Sequence, residues 1–196
     1  MKRFFDIFAS GLGLIVLSPL FLILAIWIKL DSKGPVFYRQ IRAGKDNKDF
    51  KLFKFRSMRP DSDKGRLITI GGRDPRVTRS GYYIRKYKLD EFPQLINVFR
   101  GEMSLVGPRP EVRRYVDLYD ERQLKVLSVR PGITSLASIK YRNENDILAK
   151  AGDPDRAYVE IVMPAKLEYD LQYVEKATFW NDIKLIFSTL WAIVAK

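Results

Sequence analysis

The chain has 196 residues, and its 35 Lys and Arg against 23 Asp and Glu give a formal net charge of +12. It contains no His and no Cys, which excludes a Ser-His-Asp triad, a thiol nucleophile, a thiolate metal site and a disulfide framework. Any chemistry must therefore use carboxylates, Lys, Arg, Tyr or hydroxyl groups, and any metal must be a hard cation bound by oxygen. The length is that of one domain. The positive surplus indicates a polyanionic partner, such as a nucleic acid, an anionic membrane surface or a phosphorylated substrate.

The hydrophobic residues are concentrated near the N-terminus, where the 22 residues from Ile7 to Ile28 carry no charge. As a straight helix this run would extend about 33 Å, close to the thickness of a hydrocarbon core. Ser18-Pro19 lies near its middle. Because Pro19 has no N–H, the Ile15 carbonyl loses its helical donor and the helix should kink there. We expect the Ser18 hydroxyl to favour the bend by bonding back to the Leu14 carbonyl.

Positive residues flank this apolar run on both sides, with Lys2 and Arg3 before it and Lys29, Lys33, Arg39 and Arg42 after it. Because positive residues mark cytoplasmic flanks, the pattern favours a re-entrant helix-break-helix over residues 1–30 that enters a membrane and returns to the same face. A kinked single span, with its C-terminal side in the cytoplasm, is the alternative that these features leave open.

A basic stretch rich in strand formers follows. Val36–Tyr38 and Phe50–Phe55 enclose the turn-like Gly44–Asn47, which predicts a small β-hairpin. Between Lys33 and Arg59 there are nine Lys or Arg against two Asp. The hairpin is therefore either a solvated basic face or, beside a membrane, a surface for anionic lipid headgroups.

Helical patterns dominate the rest of the chain. Residues 59–81 are polar and turn-rich and should form a loop. Periodic apolar residues predict a helix over residues 92–99, and residues 111–127 and 155–175 are further helix candidates.

The tail from Phe179 to Val194 is strongly amphipathic as a helix. Such a helix either packs into a core or, given Trp180, Trp191 and the apolar segment upstream, lies in a membrane interface. The fold class predicted is α+β and mostly helical, with a re-entrant membrane helix at residues 1–30 and one domain at residues 31–196 on the cytoplasmic membrane face. That domain combines a small basic β-hairpin with interfacial amphipathic helices around its core.

The densest group of chemically useful side chains lies between Arg85 and Glu111. Asp90 and Glu91 precede a helical pattern with Pro93 in its first turn, where the helix dipole stabilises carboxylates as anions. Capping alone would explain them. Two features favour chemistry instead, since cations just upstream should keep Asp90 ionised and nucleophilic, and adjacent carboxylates can hold a Mg²⁺ that binds a diphosphate.

Two rigid turns follow the carboxylates. In Gly107–Pro110 the prolines fix their own φ and restrict Arg109 to extended backbone. The segment therefore presents one guanidinium suited to bidentate phosphate recognition, although a rigid loop with a surface Arg is the plainer alternative. Residues 129–134 form a second turn, with the cation Arg130 beside it.

Taken in order, these motifs resemble those of the bacterial sugar transferase family. LDEFPQLINVFRGEMSLVGPRPE, preceded by KFRSM and DPRVTRSG and followed by VRPGIT, is similar to the minimal monotopic polyprenyl-phosphate phosphoglycosyl transferases. The resemblance covers nearly the whole chain, from the apolar start with its Ser18-Pro19 break to the amphipathic tail. The chain departs from the family after VRPGIT, where it continues SLASIKYRN, and this departure leaves the sugar specificity open.

The resemblance implies an enzyme that transfers a sugar 1-phosphate from a UDP-sugar to undecaprenyl phosphate and releases UMP, beginning glycan assembly. It implies that Asp90 is the nucleophile, forms a phosphosugar-aspartyl intermediate and lies beside a required Mg²⁺. Glu91 would support the metal or proton handling, and Ser18 and Pro19 would form the membrane break. The residues expected near phosphates and substrate are Arg85, Arg109, Arg56 and Arg130.

This chemistry agrees with the composition, because an anionic acceptor needs little deprotonation and Arg, Lys and Mg²⁺ neutralise the phosphates. The expected location is the cytoplasmic face of the bacterial inner membrane. The expected partners are a UDP-sugar, undecaprenyl phosphate and anionic lipid headgroups, with no nucleic acid and with a homodimer left open. Two other hypotheses remain: a membrane-anchored module that binds anionic lipid or nucleic acid without catalysis, and a one-step transferase without a covalent intermediate.

Overall fold

The N-terminal apolar run folds as two helices in the computed structural model of the protein. The structure describes residues 1–60, 62 and 74–194. Helices α1 (Lys2–Val16) and α2 (Ser18–Asp31) meet at Leu17 with a bend of 59°. Within the described ranges, no single helix is both long enough and apolar enough to cross a bilayer, and only the bent pair taken together has the necessary length and composition.

The predicted break at Ser18-Pro19 is confirmed as the point where the two helices meet. Pro19 cannot donate to the Ile15 carbonyl, and the Ser18 hydroxyl replaces the missing donor, with its Oγ 2.7 Å from that carbonyl oxygen. The prediction that Ser18 bonds to the Leu14 carbonyl was therefore wrong, because the acceptor is the carbonyl of the next residue, Ile15. The hydroxyl bonds to the carbonyl that the proline leaves unpaired.

The predicted hairpin is confirmed, and its strands are better defined than the sequence suggested. Strands β1 (Phe37–Ala43) and β2 (Asp49–Phe55) pair antiparallel over their whole length. A short 3₁₀ turn, Lys45–Asn47, closes the hairpin. Asp46 and Asn47 adopt positive φ angles of 55° and 60°, which Asp and Asn tolerate better than most residues with a side chain.

A small apolar core ties the hairpin to α2. Leu24 and Ile28 of α2 pack with Phe55 of β2 and with Ile84 of α3 (Arg79–Lys86). Helix α3 begins inside the stretch predicted as a loop over residues 59–81. Most of that stretch lies outside the described residues.

Helix α1 lies against α4 (Gln94–Arg100), and two glycines of α1 make the close approach feasible. A Cβ on Gly11 would lie 3.3 Å from the ring of Phe99, and one on Gly13 would lie 3.2 Å from the side chain of Leu95. The helix predicted over residues 92–99 is therefore confirmed, with its start shifted by two residues.

Two short strands, β3 (Ser104–Val106) and β4 (Gly132–Thr134), form a parallel pair. The loop after β3 crosses the chain that leads into β4 at van der Waals contact, so a Cβ on either Gly107 or Gly132 would overlap backbone atoms of the other segment. The Gly132 N–H donates to the Pro108 carbonyl at 2.8 Å. The crossing fixes the loop that carries Arg109.

The C-terminal part is helical, and several of its elements contribute buried apolar side chains to one core. In chain order, the elements of this part are α5 (Arg113–Val116), a 3₁₀ helix (Gln123–Ser128), α6 (Leu136–Lys140), α7 (Glu144–Ala149), α8 (Pro154–Ala157), a π-helical segment (Tyr158–Val162), α9 (Met163–Glu175) and α10 (Phe179–Val194).

The helix predicted over residues 111–127 was wrong, because only α5 and the 3₁₀ helix form there. The side chains of Asp120 and Gln123 explain the break. The Gln123 N–H donates to Asp120 Oδ1 at 2.7 Å, and the Asp120 N–H donates to Gln123 Oε1 at 3.0 Å. This reciprocal pair is a capping box, which starts a new turn at Asp120 rather than continuing the previous one.

The helices predicted over residues 155–175 and 179–194 are confirmed. The first is interrupted by the π-helical segment just before Pro164. Pro164 has no N–H for the carbonyl one turn earlier, and the wider π turn accommodates that loss.

Gly132→Ala should destabilise the protein by about 1–3 kcal/mol or more, because the added methyl group enters space held by the Gly107 backbone. Thermal unfolding of the purified protein in detergent measures the effect. Gly152→Ala is the matched control, since no atom of the described residues lies within 4 Å of a Cβ at that position. Equal unfolding temperatures for the wild type and Gly132→Ala would contradict the close crossing.

Candidate active site

Asp90 and Glu91 lie in a 3₁₀ turn, Leu89–Glu91, that precedes α4. Pro93 occupies the N-cap position of α4, one residue before the helical turn in which the sequence placed it. The carboxylates therefore lie outside the first turn of α4, and the dipole of that helix acts on them less than predicted, because its effect falls off within one turn. Their charge states depend mainly on burial and on neighbouring side chains.

Glu91 forms ion pairs with Arg109 and Lys54. Lys54 Nζ donates to Glu91 Oε1 at 3.1 Å, Arg109 Nη1 donates to Oε2 at 3.3 Å, and Arg109 Nη2 donates to Oε1. Burial by itself would raise the pKa of Glu91, but the charges of Arg109 and Lys54 outweigh burial and hold that pKa well below its ordinary value. Glu91 is therefore ionised at neutral pH, and both its oxygens bond to protein cations.

Asp90 is in the opposite situation, although it is the adjacent residue. It is 9% exposed, and no hydrogen bond to its carboxylate is found in the described part of the chain. Burial is the largest influence and raises the pKa of Asp90, and the negative charge of Glu91 adds to the rise. The positive charges of Lys54, Arg85 and Lys88 oppose it, Lys54 most strongly. The upstream cations Arg85 and Lys88 therefore act on the pKa of Asp90 in the expected direction, but burial outweighs them, and the expectation that they keep Asp90 ionised stays a prediction.

The rigid loop Gly107–Pro110 brings Arg109 onto Glu91. The segment just after Arg109 is held by Arg42 of β1, whose Nη1 donates to the Pro110 carbonyl at 3.0 Å and to Glu111 Oε1 at 3.1 Å. The charge of Glu91 raises the pKa of the Arg109 guanidinium. Arg109 is thus a fixed, fully charged group with 36% of its side chain exposed.

The other three predicted arginines lie in different surroundings. Arg85, in the last turn of α3, is close enough to lower the pKa of Asp90. Arg56 is buried and donates to three backbone carbonyls around the end of α2. Arg130 donates through Nε to a backbone carbonyl just after α4. The structure thus brings Arg85 and Arg109 to the carboxylates, whereas contacts of Arg56 and Arg130 with phosphate stay predictions.

A cavity lies beside Arg109, and its lining includes Pro108, Glu111, Tyr119 and Asp170. Asp170 is 5% exposed, and no described residue forms a hydrogen bond with its Oδ1. Burial raises the pKa of Asp170 to about 7, against the opposing charges of Lys166 and Arg109. The cavity is therefore lined by ionisable groups and is not simply an apolar gap.

The sequence reading missed Lys54 and Asp170. Asp170 carried a signal, because it lies three residues after Leu167 and next to Leu171 on the buried face of α9, where an unpaired charge is costly. Lys54 carried no such signal. Alternation along a strand predicts only that its side chain lies on the opposite face of the hairpin from those of Phe53 and Phe55.

The residues around Asp90 fit a Mg²⁺ ion that is held by one protein carboxylate and otherwise by substrate phosphates and water. No cluster of three or more acidic residues that could hold a metal ion occurs among residues 1–60, 62 and 74–194, and the Glu91 oxygens bond to Arg109 and Lys54. Asp90 is the carboxylate left for a metal. Mg²⁺ is commonly held by one or two carboxylates together with substrate phosphates and water, so these residues fit a metal that arrives with a phosphorylated substrate.

An unpaired carboxylate beside a fixed arginine and lysine is an arrangement suited to phosphoryl transfer, and comparison with known proteins agrees with it. The model of the family described as bacterial sugar transferase matches residues 1–196. The chain therefore belongs to the bacterial sugar transferase family.

Several curated relatives are similar over almost the whole chain. A UDP-N-acetylgalactosamine-undecaprenyl-phosphate N-acetylgalactosaminephosphotransferase of Aeromonas hydrophila is 39% identical over 99% of this chain and 44% of its own length. A UDP-glucose:undecaprenyl-phosphate glucose-1-phosphate transferase of Klebsiella pneumoniae is 41% identical over 97% of this chain and 39% of its own length. The chain thus spans less than half the length of these two relatives. The exopolysaccharide production protein PSS of Rhizobium leguminosarum bv. phaseoli is 40% identical, over 97% of this chain and 93% of its own length.

Lys54→Gln should raise the pKa of Asp90 further, because Lys54 is the cation that most opposes the effect of burial. A carbon-detected NMR titration of aspartate carboxyl groups in detergent-solubilised protein measures it, with Asp90→Asn used to assign the signal. Lys51→Gln changes an exposed lysine of the same strand and should leave the midpoint of Asp90 in place. A midpoint that is unchanged or lower in Lys54→Gln would refute this account of the site.

Proposed function

We propose that the protein is a phosphoglycosyl transferase that moves a sugar 1-phosphate from a UDP-sugar to undecaprenyl phosphate and releases UMP. The observation that carries the proposal is the buried carboxylate of Asp90, to which no described residue donates a hydrogen bond, beside the Glu91–Arg109–Lys54 group. The names of two relatives supply the substrate classes, since they act on a UDP-N-acetylgalactosamine or a UDP-glucose donor and on undecaprenyl phosphate. These names support an enzyme rather than a binding module without catalysis.

In the proposed reaction, Asp90 is the nucleophile. One of its oxygens forms a bond to the phosphorus that carries the sugar, and the bond from that phosphorus to the bridging oxygen breaks, so that UMP leaves with the electron pair. An oxygen of undecaprenyl phosphate then attacks the same phosphorus and displaces the Asp90 carboxylate. Glu91 is less suited to attack, because its oxygens accept hydrogen bonds from Arg109 and Lys54.

The remaining residues supply fixed positive charge. Arg109 and Lys54 are already oriented by Glu91, so they need little rearrangement to stabilise negative charge that develops on phosphate oxygens. Arg85 adds a third cation, close enough for its charge to act on Asp90. We propose that Mg²⁺ is bound by Asp90 together with substrate phosphates, where it would neutralise the diphosphate.

We further propose that α1 and α2 form a re-entrant membrane anchor and that residues 31–196 lie on the cytoplasmic face of the bacterial inner membrane. Both ends of the helix pair contact the same body of the protein. Near its start, Asp6 Oδ1 accepts from the Leu105 N–H at 3.1 Å. At its end, Asp31 accepts from the N–H and the hydroxyl of Ser80 at 2.9 and 2.8 Å. A single span would separate these ends by the thickness of the bilayer.

Exposed apolar side chains support the same arrangement. Around the bend, the side chains that face outward are Ile15, Val16, Leu22 and Ile23. Helix α10 buries Asp182 but exposes Trp180, Phe187 and Trp191, a distribution typical of a helix that lies in the membrane interface. Anionic headgroups would then meet the basic hairpin.

Asp90→Asn should reduce transfer by about 10³-fold or more, because the amide cannot act as the nucleophile. The assay measures UMP release from a UDP-sugar with Mg²⁺ and undecaprenyl phosphate. Without acceptor, the wild type should release one UMP per enzyme and gain the mass of a phosphosugar on the peptide that contains Asp90. Asp117→Asn, at an exposed aspartate, is the matched control.

Full turnover by Asp90→Asn, without deamidation, would refute the assignment of the nucleophile. Sequential rather than ping-pong kinetics, with no UMP released before acceptor is added, would favour one-step transfer instead.

The topology can be tested cleanly because the chain has no cysteine. A single cysteine in a tag at Met1, or separately at the exposed Lys33, should react with a membrane-impermeant maleimide only when the cytoplasmic side is accessible. Labelling of the Met1 tag from the opposite side, with Lys33 still cytoplasmic, would show a single span and refute the re-entrant arrangement.

A further inference from the structure

The first turns of α1 carry polar side chains that hold the backbone of β3. Asp6 Oδ1 accepts from the Leu105 N–H at 3.1 Å, and Lys2 Nζ donates to the Val106 carbonyl at 3.0 Å. Leu105 and Val106 directly precede the loop that carries Arg109. We propose that Lys2 and Asp6 are positioning residues that fix Arg109 through β3, and the kinetic part of this inference rests on the proposed function.

The burial of Asp6 shows that its contact with β3 is specific. The residue is only 3% exposed, although it lies in a helix that is otherwise largely apolar, and a buried carboxylate is costly unless it is hydrogen-bonded. Leu105 lies between the two residues of β3 that pair with β4, so its N–H points to the free edge of the strand. Asp6 supplies the acceptor that this N–H would otherwise lack.

Lys2 connects β3 to the two C-terminal helices. Its Nζ also donates to the Tyr173 hydroxyl of α9 at 2.9 Å and forms an ion pair with Asp182 of α10. The Tyr173 hydroxyl lies 3.2 Å from the Val106 carbonyl oxygen and 2.7 Å from Asp182 Oδ1. The Val106 carbonyl is therefore held from α1 and from α9 together.

A displacement of β3 would be transmitted to Arg109 almost undiminished, because the loop between them is rigid. Gly107 follows Val106 at the close crossing with the chain before β4, and the prolines on either side of Arg109 fix their own φ. The loop therefore has few torsions that could absorb a displacement. Misplacement of a substrate-orienting group by about 1 Å costs as much as about 10²-fold in rate.

Arg3 lies in the same turn of α1 and provides a matched control. Its guanidinium donates to the Val98 and Phe99 carbonyls at 2.6 and 2.9 Å. These contacts hold the end of α4, which leads away from the Asp90 turn. Removing Arg3 therefore deletes two hydrogen bonds from α1 without touching β3.

A double-mutant cycle tests the proposal. Asp6→Ala, Asp6→Asn and Arg3→Ala are each made in the wild type and in Arg109→Lys, and single-turnover UMP release is measured. In the wild-type background, Asp6→Ala should slow single-turnover UMP release by about 10-fold. In the Arg109→Lys background it should slow release by less than about 2-fold, because the guanidinium that Asp6 positions is already absent. Asp6→Asn keeps an oxygen acceptor and should restore most of the rate, whereas Arg3→Ala should have the same effect in both backgrounds.

Equal losses from Asp6→Ala in both backgrounds would overturn the proposal. If Asp6→Ala does not fold, Lys2→Met takes its place, since it removes the bond to Val106 and should show the same dependence on Arg109.

Amide hydrogen exchange gives a second readout that needs no activity. Exchange in the peptide over residues 103–110 should be faster in Asp6→Ala than in the wild type and close to the wild-type rate in Asp6→Asn. Unchanged exchange in Asp6→Ala would overturn the positioning role. Absence of UMP release by the wild type would instead refute the proposed function, and the exchange result would still decide whether α1 holds β3.

Discussion

The ion pair between Glu91 and Arg109 is the contact on which the rest of the site depends. It joins the turn before α4 to the rigid loop after β3, and it also orients Lys54 from the hairpin. The pair is partly buried, and an ion pair taken out of water recovers its desolvation cost only when further hydrogen bonds complete it; here Lys54 provides one. Three separate parts of the fold therefore meet at one carboxylate.

The same contact explains why two adjacent carboxylates behave differently. Glu91 accepts hydrogen bonds from the nearby cations, and their charge lowers its pKa. The described residues donate no hydrogen bond to Asp90, and burial outweighs the neighbouring positive charges and raises its pKa. Pairs of acids whose surroundings shift their pKa values in opposite directions commonly have different chemical roles. In this site, Glu91 orients the cations, whereas the described residues provide no hydrogen bond to the Asp90 oxygens, and this difference is the basis of the nucleophile role proposed for Asp90.

The sequence predicted the features that depend on local pattern. The break at Ser18-Pro19, the hairpin and α10 follow from a missing N–H, from strand formers around a turn and from amphipathic periodicity. The helix over residues 111–127 failed because the reciprocal capping of Asp120 and Gln123 outweighs a weak periodicity. Lys54 was missed because its partner Glu91 comes from a distant segment, and neither periodicity nor spacing encodes such a contact. Asp170 was missed although helical periodicity places it on the buried face of α9.

The positive residues at the start of the apolar run, Lys2 and Arg3, bear on both topology and packing. Lys2 and Arg3 first indicated the side of a membrane on which the run begins, and that use requires only positive charge near a surface. Their geometry is more specific, because both donate to backbone carbonyls of the body that carries the site. Side-chain contacts therefore cross residue 30, where the sequence predicted a boundary between the apolar segment and the rest of the chain. Under the proposed function, an enzyme that joins an aqueous donor to a lipid acceptor would need the Arg109 loop at a fixed height above the bilayer. In the proposed re-entrant arrangement, a helix that enters the membrane and also holds β3 would set that height directly.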